Sequence, residues 1–268
     1  MNNFEIILLS TFIVFSVICI ALCIQAHYRY KKKAGIDNES SFLNRYEYFG
    51  QPVYNQSAEH QGPGYELLLR EFNPDTRQWQ LPQNVANFPL SKIVETIQRM
   101  DLNDGQPLRS LALNMTVSQM VDYHADYFFT WVLGIVDVQK LIVEINKDDI
   151  LSANYVQQLK LRRTLKKLSQ SQIYVAIENV DSSAQTYERL RKFLPYTDYL
   201  KFNINAFNKS ATHWIDITLA QWKRKCARWN VVTMAGKIEK PTQEALVDQL
   251  HIGLRQGYFY GQPTMLHK

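Results

Sequence analysis

Five predicted strands each carry a polar residue in an otherwise apolar run. These polar residues are Glu66, Asn114, Glu144, Lys201 and the pair Glu178–Asn179. One such residue is usually just solvated at a strand end, but five strands in succession are harder to explain in that way. In a barrel, the carboxyl ends of the strands converge at one mouth. Carboxylate and amide oxygens are the ligands that Mg²⁺ or Mn²⁺ takes, so the pattern predicts a metal-binding mouth.

The elements around these residues alternate between short apolar runs and longer amphipathic ones. The predicted strands are 48–54, 65–72, 110–115, 141–145, 173–177, 199–204, 230–234 and 257–260. The predicted helices are 90–100, 118–132, 154–169, 185–193, 215–229 and 243–254. This alternation indicates an α/β fold with a mainly parallel sheet, and about eight strands fit a (β/α)8 TIM barrel. A doubly wound Rossmann sheet is the alternative, weakened because no G-x-G-x-x-G follows the early strands.

The N-terminal region is far more apolar than the average of 46% hydrophobic residues over the 268-residue chain. Residues 6–24 carry no charge, and a helix of that length spans roughly 28 Å, about one bilayer core. A buried core helix would normally keep a polar face. A cleaved signal peptide would have a basic start and an Ala-x-Ala site, and both are missing here. The segment is therefore predicted to be a transmembrane helix.

Basic residues on one flank orient this helix. Arg29 and Lys31–Lys33 follow it, whereas only Glu5 precedes it, which places the C-terminal side in the cytoplasm. We expect a short extracytoplasmic end at 1–5, a single-pass helix at 6–24 in the cytoplasmic membrane, a basic juxtamembrane segment and linker at 25–44, and a cytoplasmic domain at 45–268. Most of the net charge of +5 belongs to this flank, so the domain itself is nearly neutral and no nucleic-acid partner is indicated.

The motifs, in their order and spacing, resemble the EAL domain family of cyclic di-GMP phosphodiesterases from Tyr48 to Pro263. They are Gln51-Pro52-Val53, the run Gly64 to Arg70 (similar to G-Y-E-A-L-L-R, with Leu67 for Ala), Leu113-Asn114, Glu144-Ile145, Leu200-Lys201 and the closing run Gln256 to Pro263. The resemblance implies a modified TIM barrel whose first strand runs antiparallel. It also implies hydrolysis of one phosphodiester of cyclic di-GMP by a pair of divalent cations, Mg²⁺ or Mn²⁺.

The resemblance also implies a role for each matching residue. Glu66, Asn114 and Glu144 would be metal ligands, Lys201 would help hold the attacking water, Gln256 would support the site, and Gln51, Leu68 and Arg70 would contact the nucleotide. Arg70 suits a phosphate because its planar guanidinium forms bidentate, charge-assisted hydrogen bonds.

Three positions of the family pattern are altered. Glu178 and Asn179 stand where the family has two metal-binding aspartates, so one ligand is a methylene longer and the other has lost its charge. Gly236, or Ala235 in a shifted alignment, stands where the family has its catalytic glutamate. Neither can accept a proton, and losing a general base costs about 10²–10⁴-fold in rate. Lys147 also replaces a family glutamate that steadies the loop after Asn179.

The retained and altered positions together predict a membrane-anchored, degenerate EAL domain that acts as a catalytically inactive cyclic di-GMP receptor or regulator. A protein-interaction module without nucleotide binding is one alternative. A weak phosphodiesterase with Mg²⁺ or Mn²⁺ in a degraded site is another, with Glu239 as the nearby carboxylate. The expected partners are cyclic di-GMP, the membrane and an unidentified protein.

Overall fold

A computed structural model of the chain describes residues 3–33, 45–58, 62–82, 88–100, 108–208 and 214–266. The chain divides into two compact units, Met1–Arg45 and Tyr46–Lys268. Helix α1 (Asn3–Lys33) belongs to the first unit. Its segment Phe4–Ala26 has a mean hydropathy of 2.9, and by length and composition it can cross a membrane. Residues 1–2 of the predicted extracytoplasmic end and 34–44 of the predicted linker lie outside the described residues.

The second unit is built on one sheet. Its strands are β1 (Tyr46–Pro52), β2 (Tyr54–Asn55), β3 (Gly64–Asn73), β4 (Gln78–Gln80), β5 (Ser110–Asn114), β6 (Leu141–Asn146), β7 (Ile173–Val180), β8 (Tyr199–Asn203), β9 (Val232–Gly236), β10 (Leu254–Arg255) and β11 (Thr264–Met265). Strands β3 and β5–β10 are parallel neighbours in chain order. Strand β1 is antiparallel to β3, and β2 is antiparallel to β10. Because only Val53 separates β1 from β2, one run of chain bridges both ends of the curled sheet. The predicted modified TIM barrel with an antiparallel first strand is confirmed.

Helices cover the outer face of this barrel. They are α2 (Leu90–Gln98), α3 (Val117–Met120), α4 (Ala125–Ile135), α5 (Lys147–Ser152), α6 (Tyr155–Leu168), α7 (Ala184–Leu190), α8 (Leu219–Ala227) and α9 (Pro241–Gln249). The helix predicted over 118–132 is wrong as one element, since it is divided into α3 and α4. The break has a local cause: the Asp122 carboxylate accepts a hydrogen bond from the backbone N–H of His124, which competes with a continuous helix.

The period-two alternation of the strands separates the two faces of the sheet. Leu113, Val143, Ile145 and Leu200 are fully buried. Side chains one position away point to the opposite face, inside the barrel. The polar residues that the sequence marks in these strands therefore all project into the barrel interior.

The predicted strand at 257–260 is wrong, because the last barrel strand is β10 and Gly257–Tyr260 forms a turn. Gly257 has φ of 151°, and a Cβ atom there would lie 2.0 Å from the carbonyl oxygen of Ile238.

We expect Gly257→Ala to lower the free energy of unfolding by about 3 kcal/mol or more, because neither backbone can move aside freely. Urea denaturation of the variant tests this, with the open position Gly253→Ala as a control, and equal losses at both positions would contradict it.

Candidate functional site

The barrel interior brings four of the predicted strand-end residues together. Glu66 comes from β3, Asn114 from β5, Glu144 from β6 and Lys201 from β8, and Asn114 lies directly opposite Glu144 in the ladder. The two glutamates and the lysine are each buried. A buried charge must be paired or hydrogen-bonded, so their mutual contacts determine which groups are ionised.

Lys201 is the centre of this cluster. Its Nζ lies 2.8 Å from Oε2 of Glu66 and 2.7 Å from Oε2 of Glu144. A third carboxylate, Glu178, has its Oε2 atom 3.9 Å away. One ammonium group therefore faces three carboxylates in the interior, and the cluster carries excess negative charge when all of them are ionised.

Glu66 accepts hydrogen bonds from two side-chain amides in addition to Lys201. Asn114 Nδ2 donates to its Oε1 at 2.5 Å, and Gln256 Nε2 donates to its Oε2 at 2.6 Å. Gln256 also donates to Gln51 Oε1 at 3.3 Å, and Gln51 Nε2 donates to the carbonyl of Gly261. Asn114 of β5 and Gln256 after β10 thus bond the Glu66 carboxylate directly, and Gln51 of β1 contacts it only through Gln256.

These contacts divide the charge unequally. Burial opposes ionisation of Glu66, yet Lys201 and the two amides hold the pKa of this carboxyl below its usual value. Burial raises the pKa of Glu144 to about 8. The ammonium of Lys201 lowers this pKa, and the negative charge of Glu66 raises it. Burial also raises the pKa of Glu178. Burial opposes protonation of Lys201, but its carboxylate neighbours raise the lysine pKa, so it stays charged.

The raised pKa of Glu144 gives a pH dependence with a definite sign. Between about pH 5 and pH 8 the folded protein holds a proton on Glu144 that the unfolded chain releases, so the free energy of unfolding falls as pH rises. We expect Glu144→Gln to make this decline shallower, because its neutral amide has no proton to release. Urea midpoints measured across this range test the prediction, and an unchanged slope would contradict it.

Three of the interior carboxylates are arranged to hold a cation. Glu66, Glu144 and Glu178 each offer an oxygen, and these atoms all lie within 4.8 Å of one another. With the amide oxygen of Asn114 they form the all-oxygen donor set that Mg²⁺ or Mn²⁺ prefers. Lys201 supplies the positive charge for the same carboxylates, so a metal ion would compete with an ammonium group already bonded there.

The altered pair Glu178–Asn179 lies in a β-bulge. The register between β7 and β8 shifts between Ile177 and Val180, so the two residues have no partner on β8, although Glu178 still pairs with Asn146 of β6. Asn179 has φ of 57°, a left-handed conformation that asparagine tolerates better than most residues. Its amide makes three side-chain contacts that the sequence did not reveal: it accepts from Asn203 at 3.1 Å and Lys237 at 3.4 Å, and donates to Asp148 at 3.2 Å.

Lys147, which replaces a family glutamate, forms an ion pair in this loop. Its Nζ lies 3.0 Å from Asp181 Oδ2 and 2.5 Å from Asp148 Oδ1. Burial opposes ionisation of Asp181, but hydrogen bonds, including that of Lys147, lower the pKa of Asp181. The loop is therefore joined to α5 by a lysine–aspartate pair.

Gly236 at the end of β9 faces the cluster directly. A Cβ atom there would lie 3.3 Å from Cε and Cγ of Lys201. The next residue, Lys237, has φ of 61°, the conformation that a glycine adopts most easily. This local geometry favours the alignment that places Gly236, rather than Ala235, at the family glutamate. Glu239 is exposed, with its backbone N–H bonded to Gln243, and does not line the interior.

The predicted nucleotide contacts follow one face of the sheet. Leu68 and Arg70 alternate with Glu66 along β3, and Gln51 pairs with Glu66 across the β1–β3 ladder. Burial lowers the pKa of Arg70. Its one hydrogen bond to the part of the chain that the structure describes is to its neighbour's carbonyl, Leu69 O, at 3.1 Å. Most of its N–H donors are therefore available to an anionic ligand.

Comparison with solved structures shows the same fold. The EAL domain of FimX from Pseudomonas aeruginosa bound to c-di-GMP has a TM-score of 0.63 and 17% identity, over 82% of this chain and 91% of that chain. The Xanthomonas citri FimX EAL domain in complex with c-diGMP has a TM-score of 0.68 and 13% identity, over 90% and 97%. Because the barrel makes up nearly all of those two chains, this fold forms on its own.

A longer relative includes a metal. The Bacillus subtilis YkuI protein, solved with c-di-GMP and calcium, has a TM-score of 0.65 and 16% identity, over 83% of this chain and 57% of that chain. No curated protein matches this chain significantly. Residues 47–263, well over half of the chain, match the family model described as EAL domain. The chain therefore belongs to the EAL domain family.

Proposed function

We propose that this protein is a membrane-anchored cyclic di-GMP receptor or regulator whose EAL domain no longer hydrolyses the nucleotide efficiently. The observation that carries the proposal is Gly236. Its Cβ direction points at Lys201 within 3.3 Å, so a glutamate there would face the cluster, and glycine offers no group that accepts a proton. The nearest alternative, Glu239, is exposed.

The second metal position supports the same proposal. Asn179 carries no charge, and its amide is bonded to Asn203 and Asp148. Two dications close together need bridging carboxylates, and Glu178 alone remains for this part of the site. The residues present would hold one divalent cation through Glu66, Asn114, Glu144 and Glu178. Such an ion would act as a Lewis acid and stabilise negative charge on a phosphate. A single ion stabilises the attacking and leaving oxygens of the displacement less well than a pair of ions does.

Arg70 gives the proposal its binding test. We expect Arg70→Ala to weaken cyclic di-GMP binding by about tenfold or more, because a guanidinium makes two charge-assisted hydrogen bonds to one phosphate. Calorimetric titration of residues 34–268 measures this directly. The matched control is Arg163→Ala on α6, which removes an exposed arginine far from the interior residues and should leave the affinity unchanged.

The same titration separates the competing functions. Cyclic di-GMP is added with and without Mg²⁺ or Mn²⁺, and the products are chromatographed. Metal-independent binding without product supports the receptor. Linear dinucleotide formed at useful rates would contradict it and favour a phosphodiesterase, whereas no heat and no product would favour a protein-interaction module.

The anchor part of the proposal rests on α1. Its apolar segment and the basic residues that follow, Arg29 and Lys31–Lys33, favour a single pass with the barrel in the cytoplasm. Alkaline phosphatase fused after residue 268 should therefore be inactive, while green fluorescent protein fused there should fluoresce. An active phosphatase fusion would reverse the orientation, and loss of the full chain from the membrane fraction in carbonate would exclude the anchor.

A further inference from the structure

The barrel contains a cavity beside the buried cluster. It has a volume of about 490 Å³, and six of its lining residues stand two positions before a residue of the site, while most of the others come from the loops and strand starts at the amino ends and from α8. These six residues are Ala112, Ile142, Ala176, Tyr199, Met234 and Leu254. The cavity thus occupies the half of the interior toward the amino ends of the parallel strands, away from the predicted nucleotide contacts.

Two alanines account for this space. The interior of a TIM barrel is ordinarily filled by layers of bulky, branched side chains. Here the inward positions on β5 and β7 are Ala112 and Ala176, and both are almost fully buried. A volume of about 490 Å³ falls within the range of small-molecule sites, roughly 300–1,000 Å³. The walls are mostly apolar, so they fit a hydrocarbon chain better than a nucleotide.

The cavity mouth carries positive charge. Arg109 donates to the carbonyl oxygens of Val53, Ala58 and Gly62, and Lys223 donates to those of Leu250 and His251. Lys140 lies with its Nζ 5.4 Å from the centre of the Tyr174 ring. None of these three cations has a carboxylate partner in the described part of the chain. Carbonyl oxygens satisfy their N–H groups without neutralising their charge, so the mouth attracts an anion.

The inner end of the cavity leaves the attraction of an anion to the mouth in place. Glu144 lines it, but the Oε2 atom of this side chain is bonded to Lys201 at 2.7 Å. Glu144 is the acidic residue among those that line the cavity, and the other lining residues are apolar, neutral polar or basic.

We propose that this cavity is a second ligand site that binds a small amphipathic carboxylate with a single alkyl chain. The chain would lie between Ala112 and Ala176, and the carboxylate would remain at the mouth near Lys140. The site is separate from the predicted nucleotide contacts, and its occupancy needs neither cyclic di-GMP nor a metal.

Decanoate is a suitable probe, titrated calorimetrically into residues 34–268 without nucleotide. We expect saturable binding of one decanoate per chain, and about tenfold or more weaker binding after Ala176→Leu, which fills the wall. Because that variant also changes the core, Lys140→Glu provides a second test at the exposed mouth, again with weaker binding expected. Lys160→Glu, at an exposed position on α6, is the matched control with unchanged affinity.

Decylammonium tests the charge argument with the same chain length, and it should bind at least about tenfold more weakly than decanoate. Several results would overturn the proposal: no saturable binding of decanoate, wild-type affinity in both Ala176→Leu and Lys140→Glu, or equal affinities for decylammonium and decanoate. Circular dichroism melts of each variant confirm that any lost binding does not come from unfolding.

Discussion

Replacing Lys201 by methionine is expected to lower the free energy of unfolding of the barrel by roughly 3–5 kcal/mol at neutral pH. The side chain is 8% exposed, and its ammonium bonds to Glu66 and Glu144 at 2.8 and 2.7 Å. Methionine has a similar length but leaves these carboxylates buried without a cation. Urea denaturation of residues 34–268 measures the loss, with Lys160→Met on the exposed face of α6 as the control. A loss below about 1 kcal/mol, the size expected of a surface ion pair, would contradict the central position of Lys201.

The pH dependence of the same variant has a definite sign. Without Lys201, burial raises the pKa of Glu66 as well as that of Glu144, so the folded variant binds protons that its unfolded chain releases. The deficit relative to wild type should therefore be smallest near pH 5 and grow as the pH rises.

Divalent cations add an independent measurement to this variant. Mg²⁺ or Mn²⁺ should raise its melting temperature more than that of wild type, because the three carboxylates then lack a competing ammonium. A variant that is equally destabilised at every pH and insensitive to both ions would show that packing, rather than charge, explains the loss.

Much of this cluster was predictable from the sequence because strand geometry has an exact period. A polar residue on the face opposite the buried outer residues must point into the barrel, and the carboxyl ends of its parallel strands meet at one mouth. Glu66, Asn114, Glu144 and Lys201 meet for this reason. The pattern predicts the neighbours, but the division of charge between Glu66 and Glu144 depends on the amide donors, which come from separate parts of the chain.

Other features left little sequence signal. Strand β10 has only two residues, too few for any alternation to be recognised, while the aromatic run 257–260 imitates a strand. The pairing of Lys147 with Asp181 joins residues 34 positions apart, one at the start of α5 and one in the loop after β7, and a charge inversion alone does not reveal its partner. The cavity depends on the volumes of inward residues on several strands at once, and single positions such as Ala112 and Ala176 read as ordinary strand residues.

The position of Gly236 shows how structure adds to a motif comparison. The sequence permits two alignments, with either Gly236 or Ala235 at the catalytic glutamate. The backbone favours the first, because Lys237 has φ of 61° and the Cβ direction of Gly236 points at Lys201. Ala235 is fully buried on the neighbouring position, where alternation directs it to the outer face.

Restoring the three altered positions together is therefore expected to produce a cyclic di-GMP phosphodiesterase. The variant Glu178→Asp, Asn179→Asp, Gly236→Glu regains two shorter carboxylates for metal and one general base. Its rate should exceed that of wild type by about 10²–10⁴-fold or more, the contribution of a positioned base. Gly236→Glu alone should gain less, because the charge for a second cation is still missing.

The geometry also predicts how the restored protein depends on metal. Asn179 Nδ2 donates to Asp148 at 3.2 Å, so Asn179→Asp places two carboxylates together at that distance. This repulsion is relieved when a dication binds, and the triple variant should be less stable than wild type without metal and recover with Mn²⁺.

Product chromatography with Mg²⁺ or Mn²⁺ measures the gain in residues 34–268, and calorimetry confirms nucleotide binding in each variant. Glu239→Gln in the restored background is the control, expected to leave the rate unchanged because Glu239 is exposed. Wild-type protein as fast as the triple variant would contradict the proposed loss of catalysis. A triple variant that binds nucleotide and metal but forms no linear product would show that these three positions are not what prevents catalysis. If the gain appears only when all three are restored, the metal ligands and the base act as one unit.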